Sequence, residues 1–361
     1  MARPRISDVA AAAGVSVTTV SLVLNNAQTR ISEETRQRVR AAAEAVGYEP
    51  SSLARGLRTQ RTRTVGLISD EIASTPFAGR MLAGAQDVAR EQGHLVFLLD
   101  TGGDARIESE AIAALSAHQV DAMIYACMWH RVVDAPAGVR RDTVFLDCRP
   151  SEGGYRSVVP DDRAGGAAAV RELVEAGHRR IAYLDAAEPK PIASGLRLEG
   201  YLEVLAAAGI EPDPALHVEG EVSAQGGRDA AGRLLDLPED QRPTAIFCFN
   251  DRLALGAYTA ARRRGLEIPR HLSIVGYDDQ QFVAAEQDPP LTTVALPHYE
   301  MGRWAMEVAL GVRAGDQDVT HLMECPVIRR DSVGPPPAQV AKPNRRRASL
   351  TERPPSAAPD R

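Results

Sequence analysis

Apolar residues recur in two different rhythms along this chain, and the rhythm changes near residue 64. Before that point, small apolar residues (Val9, Ala10, Ala13, Val15, Val20, Val23, Val39, Ala42 and Val46) predict three short helices around a small core. Ser7 is read as the cap of a first helix running to about Ala13, with Asp8 in its first turn, where a negative charge suits the helix dipole. Gly14 supplies the left-handed position that a tight turn needs. Ser16 caps a second helix from Val17 to about Asn25, and Ser32, followed by Glu33 and Glu34, opens a third that ends at Gly47. Two helices around a glycine-bearing turn predict a helix-turn-helix, whose second helix enters the major groove of DNA.

Beyond residue 64 the apolar residues gather into short continuous runs at 65–68, 95–99, 122–125, 144–147, 181–185, 245–249 and 273–277. Helical patterns lie between most of them, at 78–92, 163–176, 196–208, 224–237 and 252–264. Continuously apolar strands joined by helices predict parallel sheets buried on both faces, an α/β class. About 265 residues of this pattern exceed one comfortable core, so two doubly wound lobes are expected. Ligands of such sheets bind at the carboxyl ends of the strands, where Asp147, Asn250 with Asp251, and Tyr277 with Asp278 fall.

Composition narrows the picture. Of 361 residues, 44% are hydrophobic and 25% charged, which excludes wholesale disorder. No apolar run approaches the roughly 18 residues of a membrane span, and the opening residues lack a signal peptide's apolar core. The four cysteines are too scattered for a zinc site or a disulfide framework. A soluble, cytoplasmic chain with no membrane partner is expected. Charge is unevenly spread: the net value is −6, yet residues 1–64 hold ten arginines against five acids. A basic head on an acidic body suits binding of a polyanion. After about Arg330 the Pro-rich, Arg-bearing sequence has no apolar periodicity, and residues 332–361 are read as a disordered basic tail.

Enzyme signatures are missing. Both lysines, Lys190 and Lys342, precede proline, which excludes a phosphate-binding loop, and no dinucleotide, zinc-protease or serine-nucleophile motif occurs. The acid pairs Asp161-Asp162 and Asp278-Asp279 could serve a metal or acid–base chemistry, or equally cap the next helix. No cofactor, metal or catalytic residue is expected.

The stretches Ile6-Ser7-Asp8-Val9-Ala10, Ala13-Gly14-Val15-Ser16 and Thr19-Val20-Ser21-Leu22-Val23-Leu24-Asn25 strongly resemble the head of LacI/GalR-type transcriptional repressors. The likeness continues in order through Gly47-Tyr48-Glu49-Pro50, Leu53-Ala54-Arg55-Gly56-Leu57, Phe249-Asn250-Asp251 and Ser273-Ile274-Val275-Gly276-Tyr277-Asp278-Asp279. The resemblance implies a helix-turn-helix head, a hinge helix and a two-lobed core like that of periplasmic sugar-binding proteins. The expected divisions are a head at 1–50, a hinge at 51–63, a first lobe at about 64–161 and 292–322, and a second at about 162–291 and 323–331.

On that basis Val17, Thr18, Ser21 and Leu22 face base edges, Asn25 lies near the groove wall, Ser16 and Thr19 meet phosphates, and Ser7 is a further DNA-binding residue. Arg5 and Arg30, with Arg36, Arg55 and Arg58, supply phosphate charge. Leu22 stands where the family commonly has Arg, so contact with a thymine methyl is expected in place of the usual guanine contact. In the short hinge, Gly56 costs a helix interior about 1 kcal/mol relative to alanine. The resemblance implies that this hinge folds only when paired over DNA, with Leu53 and Ala54 in it and Leu57 as a minor-groove wedge.

For the effector pocket the matching residues are Phe77, Asp147, Arg197, Asn250 and Asp278, with Tyr277 adjacent and read as packing. Acids, an amide and a guanidinium suit a hydroxyl-rich ligand. Val222, Leu296 and Ala193 replace residues that usually touch the ligand, which makes the pocket more apolar; Trp129 and Tyr125 are candidates for the missing aromatic surface. The expectation is a homodimeric repressor of double-stranded operator DNA, switched by a sugar or related metabolite. The alternatives are a cytoplasmic small-molecule-binding protein, which has no use for the head, and an α/β hydrolase acting on sugars or nucleosides, which the missing motifs oppose.

Overall fold

The computed structural model describes residues 4–25, 30–48, 61–72, 78–314 and 320–337. The head holds α1 (Ile6–Ala13), α2 (Val17–Leu24) and α3 (Glu33–Ala45). Gly14 takes the left-handed conformation at φ +64°, and the chain turns by 102° from α1 to α2, within the range of a helix-turn-helix. Ser16 Oγ accepts from Thr19 N at 3.1 Å and Ser32 Oγ from Thr35 N at 3.3 Å, so both expected caps form. Ser7 does not cap. The first cap position falls on Arg5, whose backbone N–H donates to Asp8 Oδ2 at 2.8 Å, and this reach-back draws Ser7 into the first turn of the helix. Val9, Ala10, Ala13, Val20, Val23, Val39 and Ala43 are buried between the three helices.

The remainder forms two six-stranded sheets. The first has the order β11-β5-β4-β3-β1-β2 and is parallel throughout, with β1 (Thr64–Ser69), β2 (Leu95–Asp100), β3 (Ala122–Val133), β4 (Val144–Pro150), β5 (Arg156–Pro160) and β11 (Thr320–Met323). The second has the order β12-β10-β9-β8-β6-β7, with β6 (Ile181–Ala186), β7 (His217–Gly220), β8 (Ala245–Cys248), β9 (Ser273–Asp278), β10 (Thr292–Ala295) and β12 (Val327–Ile328), and only β12 runs antiparallel. Helices α4 (Gly79–Glu91) and α5 (Ala105–Ala117) belong to the first lobe. Helices α6 (Asp162–Glu175), α7 (Ile192–Ala207), α8 (Ala224–Leu235) and α9 (Asp251–Arg263) belong to the second, and α10 (His298–Ala309) returns to pack on α4.

The chain therefore passes between the lobes after β5, after β10 and again between β11 and β12. The return to the first lobe comes after Ala295 and not at residue 292, because β10 pairs with β9, Thr293 against Gly276. Residues 332–334, expected to open a disordered tail, are instead held in place, and 338–361 lie outside the described residues. Ser332 is fully buried and its Oγ donates to Ile274 O at 2.6 Å, while Gly334 N donates to Ser273 Oγ at 3.0 Å. These bonds satisfy polar groups at the start of β9, an interior strand of the second sheet, and hold residues 332–334 in place. No single helix among the described residues is long and apolar enough to cross a membrane.

Candidate functional site

Two surfaces bear on function. On the head, Val20 and Val23 point inward and leave Val17, Thr18, Ser21 and Leu22 on the outer side of α2. Val17, on this outer face, keeps 45% of its surface in water. Its polar neighbours bond to each other: Ser16 Oγ and Thr19 Oγ1 lie 2.8 Å apart, and Asn25 Nδ2 donates to Ser21 O at 2.6 Å. Arg5 and Arg30 are exposed.

The second surface is a cleft between the lobes at the carboxyl ends of their strands. Asp147 and His130 reach it from the first lobe; Asp162, Arg197, Phe249 and Asp278 reach it from the second. Its free centre is a cavity of about 20 Å³, room for about one water. Asp278 and Leu296 separate it from a wider hollow of about 540 Å³ that also touches Arg80, Pro297 and His298.

Arg197 is the hub. Its Nε and Nη2 donate to Asp162 Oδ1 at 2.9 and 2.8 Å, its Nη1 donates to Phe249 O at 2.5 Å, and its guanidinium lies 3.5 Å over the Tyr277 ring. This placement requires α6 and α7 to touch backbone to backbone. A Cβ on Gly200 would stand 2.2 Å from Arg163 O, and one on Gly166 would stand 2.7 Å from Arg197 O. His130 Nδ1 meets Asp162 Oδ2 at 2.9 Å, so one buried hydrogen-bond chain runs from the first lobe through Asp162 to Arg197 in the second. Burial raises the Asp162 carboxyl, but the charge of Arg197 and the bond to His130 outweigh it and hold the group below the usual carboxylate range.

Asp147 and Asp278 are held differently. Each adopts positive φ, +55° and +102°, a region uncommon for non-glycine residues though enriched in aspartate. Asp147 Oδ1 is buried without a hydrogen-bond partner, as is Nδ2 of Asn250, whose Oδ1 caps α9 by accepting from Leu253 N at 3.1 Å. Asp278 Oδ2 accepts from Gln280 Nε2 at 2.8 Å, while its Oδ1 stands 3.7 Å from Arg197 Nη1. Burial, with the negative charge of Asp162 nearby, pushes Asp147 well above the carboxylate range; burial lifts Asp278 to about 6 against the pull of Arg197.

Comparison with known proteins settles the family. Residues 5–51 match the profile of bacterial regulatory proteins of the lacI family, and residues 170–333 match the periplasmic binding protein-like domain. The repressor CytR of Escherichia coli K12 is 36% identical over 336 residues, covering 91% of this chain and 95% of its own length. The chain belongs to the LacI family. The ribose operon repressor of Haemophilus influenzae is 33% identical, covering 84% of this chain and 90% of its own. Among solved structures, the lac repressor dimer bound to operator and the anti-inducer ONPF superposes with a TM-score of 0.72 at 26% identity, covering 92% of this chain and 100% of that one. The CelR–cellobiose complex gives 0.62 at 30%, covering 91% and 100%. This LacI-family chain is thus a DNA-binding transcriptional regulator with an effector-binding core, and its relatives are repressors, not enzymes.

Of the sequence-predicted LacI-family pocket residues, the fold brings Asp147, Arg197 and Asp278 to one cavity and sets Asn250 directly after its Phe249 wall. Phe77 and the hinge residues Leu53, Ala54 and Leu57 lie outside the described residues. Leu296, Ala193 and Trp129 do line the cleft, while Tyr125 donates its hydroxyl to Glu108 Oε2 at 2.6 Å away from it. His130 and Asp162 were not legible as cleft residues. The register of β3 shifts between Ala126 and Arg131, and this bulge, fixed where Asp70 accepts from Met128 N and Arg131 Nη2 at 2.9 Å each, brings Met128, Trp129 and His130 to the cavity. The acid pairs divide their labour. Asp161 caps α6, accepting from Ala164 N at 3.0 Å, and Asp279 accepts from Arg330 at 2.7 Å, which leaves Asp162 and Asp278 for the cleft.

Proposed function

We propose that this LacI-family regulator represses transcription as a homodimer, with α2 in the major groove of a near-palindromic operator and its grip set by a small hydroxyl-rich metabolite in the interlobe cleft. The observation that carries the reading is Asp147: a fully enclosed carboxylate oxygen without a partner, on a backbone at φ +55°, facing Arg197 and Asp278 across the lobes. A buried polar atom left unmatched costs stability, and a ligand donor is what would satisfy it. The sugar-related names of relatives, a ribose operon repressor and a cellobiose complex, point the same way.

The proposed DNA contacts are Val17, Thr18, Ser21 and Leu22 to bases, and Arg5, Ser7, Ser16, Thr19, Asn25 and Arg30 to the backbone or groove wall. Leu53, Ala54 and Leu57 are assigned to the hinge by their place in the sequence. A ligand that bonds Asp147 from one lobe and Asp278 and Asn250 from the other favours one lobe arrangement over its alternative. That differential affinity is all that coupling to the operator requires. Fluorescence anisotropy with the regulator's own upstream DNA, run after a thermal-shift screen of sugars and metabolites, tests the reading. Specific binding that changes on addition of a stabilising hit is expected; binding indifferent to every hit overturns it.

A further inference from the structure

Two distortions that shape the first lobe's side of the cleft also bring a pair of thiols together. Met123, Tyr125 and Cys127 alternate onto one face of β3 and are buried there with Phe145 of β4. Strict alternation along β4 would send Cys148 to the opposite face, where Leu146 packs in a different cluster. Asp147 breaks that alternation with its left-handed backbone, and Cys148 turns back into the cluster of Phe145 and Cys127. On the neighbouring strand the register slips between Ala126 and Arg131, so the bulge opens at Cys127. The two thiols, distant in sequence, are thereby in hydrogen-bond contact, and both are buried.

Their surroundings differ. Arg131 Nε donates to Cys127 Sγ at 3.2 Å while its Nη2 bonds Asp70 Oδ2 at 2.9 Å. The hydrogen bond from Cys148 and the charge of Arg131 hold the Cys127 thiol below its usual range, against burial and the charge of Asp70. Burial and the proximity of Cys127 push Cys148 well above that range, so it keeps its proton. Burial also pushes up Cys248 and Cys325. A sulfur that ionises beside one that stays protonated is the pairing of an attacking and a resolving cysteine.

We propose that Cys127 and Cys148 form a peroxide-responsive dithiol site, in which Cys127 is oxidised first and Cys148 then closes a reversible disulfide between β3 and β4. The Cys127 thiolate attacks one oxygen of hydrogen peroxide, the O–O bond breaks, and the departing hydroxide takes up a proton and leaves as water. The sulfur, now oxidised, is a sulfenic acid. The Cys148 sulfur attacks it, the S–O bond breaks, and the hydroxide leaves with the Cys148 proton as a second water. Two thiols and one peroxide become one disulfide and two waters. Peroxide is little larger than water and can follow Arg131, whose side chain runs from the sulfur toward solvent with 44% of its surface exposed. The bridge ties the opening of the bulge to the neighbour of Asp147. Since Met128, Trp129, His130 and Asp147 line the cleft, oxidation stiffens that wall.

The test uses the full chain, reduced, freed of reductant and treated with about a tenfold excess of hydrogen peroxide. The protein is then denatured, alkylated and mapped by peptide mass spectrometry. Of the four cysteines, Cys127 and Cys148 should be lost to one intramolecular bridge that dithiothreitol reverses, with Cys248 and Cys325 still alkylated. Cys148→Ser should stop at a sulfenic acid on Cys127, trapped by dimedone, and Cys127→Ser should leave Cys148 a free thiol. In the bridged wild type, amide hydrogen exchange across residues 127–133 should slow about threefold or more, with no change in β6. Four thiols still free, a bridge between any other pair, or Cys127 carried on to the sulfinic acid beside an untouched Cys148 overturns the site. Unchanged exchange across 127–133 overturns its hold on the cleft wall. The wild-type map decides the chemistry by itself, so the proposal remains refutable even if a serine variant fails to fold.

Discussion

The head and the cleft carry opposite anomalies. The head leaves an apolar residue in water, Val17 at 45% exposure, while Ser16 and Thr19, expected to meet phosphates at the start of α2, already bond each other. The cleft keeps carboxylates out of water, with Asp147 and Asn250 each holding a buried polar atom unmatched. Both arrangements make sense as surfaces completed by something else, but of different kinds. An apolar face beside short hydroxyls suits base edges and methyl groups; buried acids around a committed arginine suit a ligand rich in donors. The same contrast separates their energetics, since the head rests on a handful of small apolar side chains and the cleft on one charge network.

The variant with the largest expected effect strikes the cleft. Arg197→Ala leaves Asp162 buried with only His130 beside it and should cost about 3–5 kcal/mol in denaturant unfolding of the core; effector binding should vanish with it. A cost below about 1 kcal/mol would mean that the network is not the cleft's support. The next effect is one of pH. Asp278 has a native value near 6, above that of the unfolded chain, so the folded state binds the extra proton. The contribution of Asp278 to stability, about 3 kcal/mol, should be lost as pH rises from 4 through 6, and Asp278→Asn should remove that share of the slope. Asp185 has the opposite sign. Burial opposes its ionisation, yet hydrogen bonds from His217, Ser194 and Lys190 hold it near 2, so its contribution is present above about pH 4 and lost as pH falls toward 2.

Smaller effects belong to the head. Val23→Ala should cost about 2 kcal/mol, read as weakened operator binding with effector binding intact. Were effector binding to fall equally, the two regions would not be energetically separate. Smallest is Ser16→Ala, which removes the cap that accepts from Thr19 N and should cost the head about 1 kcal/mol.

The sequence made these regions legible to different degrees, for a physical reason. Capping and turn chemistry are local: Ser16, Ser32 and Gly14 act within four residues of themselves, and their roles follow from spacing alone. Ser7 failed because Asp8 bonded backward to Arg5, a choice between two local options that pattern does not decide. Strand ends marked Asp147, Asn250 and Asp278 as cleft candidates because a parallel sheet puts its ligands there. His130 lay beyond reach, since its presence in the cleft depends on a bulge fixed by Asp70, some sixty positions earlier in the chain. Asp162 was hidden by its neighbour, because either acid of the pair could have capped the helix.

The most direct test of the central claim is the ratio of operator affinities with and without a ligand found by the thermal-shift screen, measured at fixed salt for the wild type and for Asp147→Asn. The account predicts a ratio of about five or more in the wild type, collapsing toward one in the variant. A ratio near one in the wild type, or an unchanged ratio in the variant, would contradict it.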